Sequence, residues 1–176
     1  MIRLDPIKRT DSRLLENMEV HYSQPKGFVG RNICYAVMVE NQYYGGIVGG
    51  STPKHLAGRN LPFPYSLNNI VNNLFFHIEG PYPVRNFAQK TLAIYRKRIE
   101  LDWFLKYGDF VLAHESLVEL PRKGEIYLRD KWHLTGRTIG YTCKRIGGKG
   151  TDSWSGKRIW DTKNLRPKLI FTRIVG

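Results

Sequence analysis

The stretch from residue 68 to residue 108 restricts the possible folds more than any other part of this sequence. Residues 67–79 form an apolar, β-branched run of strand length, and after a Gly/Pro turn a helical pattern of more than twenty residues extends to Tyr107. Residues 110–118 then indicate a second buried strand. Two strands joined through a helix favour a parallel pair with a right-handed crossover. The sequence therefore predicts an α/β domain.

The remaining segments predict further strands and helices around this unit. Residues 3–9 indicate an edge strand, Asp11 caps a short helix that ends near Val20, and residues 33–40 and 43–50 indicate a hairpin. Four glycines at positions 45, 46, 49 and 50 predict a bulge or the close approach of a ligand. Residues 51–65 predict a loop, residues 124–134 a short helix, and residues 135–142 and 167–175 two strands. At 176 residues we expect a single domain, with a basic C-terminal segment from about residue 143 to residue 176.

Positive charge is concentrated in the last third of the chain. Residues 1–120 contain 14 basic and 11 acidic residues, whereas residues 121–176 contain 14 basic and 4 acidic residues, a net charge of +10. Such a concentration suits a polyanion, because each neutralised phosphate releases counterions. Glycines, cations and tryptophans between residues 143 and 163 fit a clamp on phosphates and unstacked bases; a basic loop with its tryptophans in the core is the alternative. The predicted nucleic-acid-binding residues are Arg137, Lys144, Arg145, Lys149, Trp154, Lys157 and Arg158.

Several classes of protein are disfavoured by what the sequence lacks. Two cysteines, Cys34 and Cys143, are too few for a disulfide scaffold. The N-terminus has no apolar signal region and no run of 18 apolar residues occurs, so we expect a cytoplasmic protein that does not enter a membrane. The sequence contains no phosphate loop, dinucleotide fingerprint or His-Glu-x-x-His motif, and its five histidines are too scattered to predict a metal site.

Three groups of residues are candidates for a functional site. Glu115 lies at the end of the predicted strand 110–118, where reactive groups gather in open sheets, and is our candidate general acid or base. His21, Tyr22 and Ser23 follow the first helix in a polar loop and can donate hydrogen bonds or move protons, although an ordinary helix-to-strand connection is the alternative. The start of the long helix offers free N–H groups and the positive end of the helix dipole to a phosphate-bearing ligand, although a strand–turn–helix junction that binds nothing is the alternative. This third group comprises Val84, Arg85, Asn86, Phe87 and Ala88.

The order of these blocks is similar to that of a known group of proteins. The His21-Tyr22-Ser23 stretch followed by a glycine-rich hairpin resembles the start of the Mom family of phage DNA-modification proteins. The later blocks, at residues 70–78, 83–88, 102–108, 115–118 and 124–140, resemble the related uncharacterised domain of Druantia anti-phage systems. Together the blocks cover roughly residues 18–145.

The resemblance implies a fold, a donor and a reaction. It implies a GNAT-type acyltransferase fold with a mixed, splayed central sheet and flanking helices, acyl-CoA or a related acyl donor at the strand–helix junction, and modification of a DNA base in a bacterial host cell. His21 and Tyr22 match the family's His-Tyr pair, and Glu115 stands where Mom-like proteins carry an acidic residue. The GNAT pyrophosphate signature Arg/Gln-x-x-Gly-x-Gly/Ala is not matched, because residues 84–88 contain no glycine.

The leading hypothesis is therefore an enzyme that acylates an exocyclic amine of a base flipped out of double-stranded or locally unpaired DNA. One alternative is a non-catalytic DNA-binding component of a phage or anti-phage system on a degenerate GNAT fold. Another is an ordinary acetyltransferase of small molecules or proteins, for which the basic C-terminal third would be incidental.

Overall fold

The structure, a computed structural model, describes residues 1–56, 58–59, 66–146 and 157–176, with the backbone alone for residues 142–146, 157 and 158. Nine strands and three α-helices lie within these ranges. The strands are β1 Ile2–Ile7, β2 Asn32–Val39, β3 Gln42–Ser51, β4 Ile70–Ile78, β5 Ala113–Glu119, β6 His133–Arg137, β7 Thr142–Ile146, β8 Lys157–Asp161 and β9 Lys168–Ile174. The helices are α1 Ser12–Val20, α2 Phe87–Tyr107 and α3 Glu125–Arg129.

Seven strands form one mixed sheet in the order β1-β2-β3-β4-β5-β9-β6, and β7 and β8 form a separate two-stranded sheet. Strands β4 and β5 are parallel, and the other neighbours in the large sheet are antiparallel. This confirms the predicted α/β fold class and the parallel pair on either side of the long helix.

The two parallel strands part in the middle of the sheet. Their pairing ends at Asn73 of β4 and Ser116 of β5. Beyond that point β4 continues to Ile78 against β3, and β5 continues to Glu119 against β9. The sheet is therefore splayed, with an opening between two strands that each keep their outer neighbour.

The helices cover the two faces of the sheet. Helix α1 begins where the Asp11 side chain accepts a hydrogen bond from the backbone N–H of Arg13, and its Leu14 and Met18 pack on one face. Helix α2 packs on the other face through buried side chains that include Leu92, Tyr95, Ile99 and Trp103. A Cβ atom on Gly49 would lie 2.3 Å from the Tyr95 hydroxyl oxygen. Close packing of α2 thus accounts for this glycine without a ligand.

The C-terminal part differs from the sequence prediction. The strand predicted at 135–142 is shorter, as β6 ends at Arg137, and the glycine-rich basic segment carries β7 and β8, which were not predicted. Both depend on pairing with distant partners that local sequence does not reveal, because β6 pairs with β9 and β7 with β8. No helix in the described part of the chain is both long and apolar enough to cross a membrane.

Candidate functional site

A cavity of about 360 Å³ occupies the opening between β4 and β5, and we call it the splay cavity. Its wall includes residues of both strands, of the loop after α1 and of the segment leading into α3; representative residues are Ser23, Asn73, Phe76, Ser116, Glu119 and Tyr127. A volume of this size lies within the range of small-molecule sites. Parting of the two strands has therefore produced an accessible pocket inside the sheet.

Two adjacent asparagines of β4 line this cavity with unpaired polar atoms. Asn72 and Asn73 are 2% and 6% exposed, and the side-chain oxygen of each has no hydrogen-bond partner. A buried carbonyl oxygen without a protein partner can accept a hydrogen bond from a bound ligand or from a water molecule. The splay cavity is thus suited to a ligand that carries N–H groups.

A β-bulge in β4 directly follows Asn73. In the β3–β4 register Gly49 pairs with Asn73 and Val48 with Phe75, so Leu74 is the extra residue that remains outside the ladder. Leu74 lines the splay cavity. Its backbone amide is a candidate donor to an oxygen atom bound there.

Tyr127 of α3 reaches the point where the strands part. Its hydroxyl oxygen accepts a hydrogen bond from Asn73 Nδ2 at 3.3 Å, and the Ser116 side chain is a second hydrogen-bond partner. Burial raises the pKa of Tyr127 above its ordinary value, which keeps the phenol protonated at neutral pH. A protonated hydroxyl can donate a hydrogen bond to a ligand in the cavity.

The structure places His21, Tyr22 and Ser23 together at the wall of the splay cavity. Nδ1 of His21 lies 2.8 Å from the Ser23 hydroxyl and accepts a hydrogen bond from the Ser23 backbone N–H at 3.3 Å. Burial, and then the charges of His77 and Arg122, lower the pKa of His21 to about 4. At neutral pH the imidazole is uncharged, and it holds the Ser23 hydroxyl at the cavity wall rather than acting as a strong base.

Tyr22 forms a bridge across the mouth of the opening. The Arg122 guanidinium carbon lies 3.5 Å from the centre of the Tyr22 ring, a cation–π contact between the loop after α1 and the loop after β5. Burial raises the pKa of Tyr22. Both residues line the splay cavity and an adjoining groove of about 440 Å³ that reaches Tyr82 and Ala88 near the start of α2.

Glu115, the predicted acid or base, does not line the splay cavity. It is fully buried in the paired part of β5, its carboxylate accepts hydrogen bonds from Arg59 Nε at 2.6 Å and Nη2 at 2.9 Å, and the Thr52 hydroxyl donates to it as well. A carboxylate occupied by a guanidinium and shielded from the cavity is a poor proton acceptor for a substrate. The arrangement favours a structural role for Glu115, and its role as a general acid or base stays a prediction.

Glu119 is the carboxylate of β5 that reaches the splay cavity. It lies at the C-terminal end of the strand, and its side chain is 19% exposed with Arg166 at 3.6 Å. Glu119 also lines a second groove on the far side of β5. Sequence reasoning missed it because the predicted strand ended before it. The following Leu120-Pro121 pair was the available indication of the true end.

The start of α2 differs in detail from the predicted phosphate site. Val84, Arg85 and Asn86 precede the helix, the Phe87 side chain is buried in the core, and Ala88 lines the groove next to the splay cavity. The first N–H of the helix to bond within it is that of Lys90, which donates to the Asn86 carbonyl at 2.9 Å. The N–H groups of the preceding helical residues are thus the ones available to a ligand.

Asn86 takes the place of a glycine in this turn. Its φ of 58° and ψ of 34° lie in the left-handed region, which asparagine tolerates better than other non-glycine residues. With Asn86 at the first glycine position of the Arg/Gln-x-x-Gly-x-Gly/Ala signature, Ala88 falls at its last position. The turn thus adopts a left-handed backbone conformation at residue 86 without a glycine.

The second groove, which we call the aromatic groove, has a volume of about 550 Å³ and lies between the splay cavity and the β7–β8 sheet. Trp160 and Tyr141 line it and are 55% and 50% exposed. Its charged residues are Arg166, Lys168 and Glu119, so cations exceed acids. Flat aromatic surfaces beside cations are typical of sites that stack unpaired bases.

The predicted nucleic-acid-binding residues are only partly described. Arg137 is exposed at the end of β6. Lys144 and Arg145 lie in β7 and Lys157 and Arg158 in β8, with Arg145 paired to Arg158, but their side chains are outside the described set, and Lys149 and Trp154 lie outside the described residues altogether. Among the described residues, no cluster of three or more His, Cys, Asp or Glu side chains is arranged to hold a metal ion.

Known structures share this architecture. An Arabidopsis thaliana NAA60 structure in complex with a bisubstrate analogue is 13% identical, with a TM-score of 0.58 over 99% of this chain and 98% of that one. A GNAT family acetyltransferase from Elizabethkingia anophelis with acetyl-CoA bound is 10% identical, with a TM-score of 0.57 over 99% and 98%. A Bacillus subtilis acetyltransferase in complex with CoA is 9% identical, with a TM-score of 0.57 over 99% of each chain.

Comparison of this sequence with known sequences does not assign it to a family. No protein-family model matches this chain, and no curated protein matches it. Identities of this size establish the fold alone, so the resemblance to Mom and Druantia proteins stays a prediction. The seven-stranded sheet, its splayed β4–β5 pair and the agreement over nearly the whole chain show that this protein has the GNAT acetyltransferase fold.

Proposed function

We propose that this protein is an N-acyltransferase that takes an acyl group from acyl-CoA and transfers it to an exocyclic amine of a DNA base. The observation that supports acyl-CoA as the donor is the splay cavity, whose buried Asn72 and Asn73 side-chain oxygens lack hydrogen-bond partners in the protein. An acyl-CoA has amide N–H groups along the arm that ends in its thioester. The donor class thus supplies the groups that the cavity lacks.

The grooves around the cavity suit the rest of such a donor. The groove at Tyr82 and Ala88 shares Phe76 and Arg122 with the splay cavity, so a ligand can extend from the start of α2 into the opening of the sheet. Free N–H groups and the positive end of the helix dipole at that start favour phosphates. Solved proteins of the same fold hold acetyl-CoA or CoA. When bound, acyl-CoA supplies an activated thioester.

Four groups of the chain then have chemical roles. Glu119, at the junction of the splay cavity and the aromatic groove, accepts a proton from the attacking amine. The Leu74 amide, outside the β3–β4 ladder, donates to the carbonyl oxygen as negative charge develops there. The Tyr127 hydroxyl donates a hydrogen bond into the cavity from the side of α3. His21 holds the Ser23 hydroxyl at the same junction.

The aromatic groove favours a particular class of acceptor. A groove with more cations than carboxylates disfavours an acceptor that carries its own positive charge, such as a lysine side chain. It favours a neutral amine on an anionic carrier, which describes a nucleobase in DNA. Exposed Trp160 and Tyr141 provide surfaces on which a base taken out of the helix can stack. Arg137, exposed at the end of β6, would then face phosphates.

The decisive experiment combines donor binding with product mass. Purified protein is incubated with acetyl-CoA and duplex or single-stranded oligonucleotides, and the nucleosides are analysed by mass spectrometry. We expect one nucleoside to gain the mass of the acyl group, and the rate to fall by about 10²-fold or more in Glu119→Gln. Glu16→Gln, on the exposed side of α1, is the matched control and should keep the wild-type rate.

Two outcomes would overturn the proposal in different ways. Calorimetry that detects no binding of CoA or acetyl-CoA would favour the non-catalytic DNA-binding alternative. Binding of acetyl-CoA together with unchanged nucleosides, but acetylation of a peptide or small amine, would retain the acyltransferase and reject DNA as its acceptor.

A further inference from the structure

The chain that follows β3 is attached to the large sheet at two points, and we call its described residues between 52 and 59 the β3–β4 segment. The first attachment is the Arg59 side chain, which is 10% exposed and donates to the Glu115 carboxylate through Nε at 2.6 Å. Its Nη2 lies 2.6 Å from the Thr52 hydroxyl oxygen and 2.9 Å from the Pro53 carbonyl oxygen. One guanidinium therefore joins the beginning of the segment, its end and strand β5.

The second attachment is a backbone contact with β6. A Cβ atom on Gly136 would overlap the Gly58 carbonyl oxygen, and a Cβ atom on Gly58 would overlap the Arg137 carbonyl oxygen. The close approach thus requires glycine at both positions. Because β9 lies between β5 and β6 in the sheet, the two attachments hold the segment across β9.

The β3–β4 segment borders both parts of the proposed site. Pro53 lines the splay cavity, whereas His55 and Leu56 line the aromatic groove. His55 is exposed, and a flat imidazole ring can stack on an unpaired base. The position of this wall depends on Arg59, because Arg59 is bonded to the two residues that begin the segment.

Stability alone does not require a charged pair at this position. Taking two charges out of water is costly, and apolar side chains of similar volume often stabilise a core equally well or better. Such side chains could fill the space beside Glu115, but they could not bond the Thr52 hydroxyl and the Pro53 carbonyl oxygen. The guanidinium thus fixes the conformation of the segment as well as occupying the space.

We propose that Arg59 is a positioning residue that holds His55 and Leu56 as a wall of the aromatic groove, and that His55 contacts the base to be acylated. The inference rests on the proposed function, because the base belongs to the proposed DNA acceptor. Arg59 itself does not touch the substrate. It acts through the β3–β4 segment, which it fastens to β5.

The first test needs no substrate. Arg59→Lys keeps a positive charge beside Glu115 but loses the planar fork that reaches several partners at once. Trypsin cleaves after Lys54, which is exposed, only when the segment is loose enough to enter the protease. We expect cleavage after Lys54, followed by mass spectrometry, to be about fivefold or more faster in Arg59→Lys than in wild type.

Arg96→Lys is the matched control. Arg96 forms a similarly buried pair with Asp130, through Nε at 2.7 Å and Nη2 at 3.0 Å, and neither residue lines the aromatic groove. This variant loses the same fork at a distant place, so its cleavage after Lys54 should match wild type. Circular dichroism and thermal unfolding establish that both variants are folded.

The second test separates positioning from a merely structural role. In Arg59→Lys the KM for the oligonucleotide should rise by about tenfold, while the Kd of CoA in calorimetry stays within about twofold of wild type. His55→Ala should raise the same KM without faster cleavage after Lys54. Combining the two changes should raise it by less than the product of their separate effects, because both act on one contact.

Each outcome bears on a different part of the inference. Wild-type cleavage after Lys54 in Arg59→Lys would overturn the positioning role, and so would faster cleavage with an unchanged KM for the oligonucleotide. A wild-type KM in His55→Ala would overturn the contact with the base. Wild-type protein that modifies no nucleoside would overturn the proposed function and the acceptor contact together, whereas the cleavage test would still decide whether Arg59 fastens the segment.

Discussion

Strand β5 contains two glutamates four positions apart, and their surroundings are opposite in kind. Glu115 lies where β5 is paired with β4 on one side and β9 on the other, and it is fully buried against Arg59 and Thr52. Glu119 lies beyond the point where β4 departs, keeps only the pairing with β9, and lines two grooves.

The difference shows that the partner strand, not the residue type or its position near a strand end, decides whether a carboxylate is available for chemistry. Between two paired neighbours a side chain is enclosed on both flanks, and a charge there must be compensated by another buried group. Where one neighbour leaves, the same strand gains an open flank without losing its backbone hydrogen bonds on the other side. A splayed sheet thus provides a rigid wall and an open site within one strand.

The largest expected effect concerns the enclosed carboxylate. Glu115→Gln leaves the Arg59 guanidinium, 10% exposed, without its counter-charge, and removing one partner of a buried ion pair costs about 3–5 kcal/mol. We expect the free energy of unfolding in urea to fall by that amount. Glu119→Gln, the matched variant in the open region, should change it by less than about 0.5 kcal/mol.

The comparison would be reversed if Glu115→Gln kept the wild-type free energy of unfolding but no longer catalysed acyl transfer. Such a result would restore Glu115 as the catalytic acid or base. A double variant, Glu115→Gln with Arg59→Leu, should recover part of the lost stability, because it removes the unpaired charge as well.

The sequence predicted the framework of the site better than its chemistry. The order of β4, α2 and β5 follows from local periodicity, and it places the parallel pair correctly. The residue at which the pair separates depends on β3, β9 and a bulge at Leu74, none of which local periodicity reveals. For that reason the sequence predicted Glu115 but not Glu119, which the structure places at the splay cavity.

Other residues of the site were visible in the sequence but were not given a role. Asn72 and Asn73 interrupt a buried apolar strand, and two adjacent polar residues in such a strand are an indication of a site. Tyr127 was predicted to face inward, but the fold is needed to bring its hydroxyl to Asn73, which is 54 positions away in the sequence. His21, Tyr22 and Ser23 were found because they are close together in the chain, and the structure does bring them to one wall of the cavity.

A smaller effect on stability is expected from a change of pH, because one titratable group of the open region, His21, is shielded from water. His21 is 7% exposed, and its pKa in the folded protein is about 4 against 6.5 for the ordinary value. Between these values the unfolded chain binds a proton that the folded protein does not, so stability falls as the pH is lowered from 6.5 to 4. The loss from this residue is at most about 3 kcal/mol.

Unfolding free energies measured from pH 7 to pH 4 test this for wild type and His21→Gln. The difference between the two curves isolates His21, because His114, whose pKa burial also lowers, is present in both proteins. His133→Gln, at an exposed position, should reproduce the wild-type curve. Identical curves for wild type and His21→Gln would show that the wall of the cavity near His21 is open to water.

The smallest effect is expected at a cavity larger than the splay cavity, a basic cleft of about 740 Å³ between the β1–α1 turn and the C-terminal end of α2. Asp102 in this cleft is bonded to Arg98 and to the Tyr35 hydroxyl, and Lys106 donates to the Asn32 carbonyl. None of the buried, unpartnered side-chain atoms found among the described residues lines it.

Size alone therefore does not identify the site. Lys8→Gln combined with Arg9→Gln removes two exposed cations from the rim of the basic cleft. Because the cleft lies near the C-terminal end of α2, and the proposed donor groove lies at its N-terminal end, we expect the rate of acyl transfer to stay within about twofold of wild type. A tenfold loss of the rate, with donor affinity unchanged in calorimetry, would mean that the acceptor also contacts this cleft. The open flank of β5 would then be only one part of the functional surface.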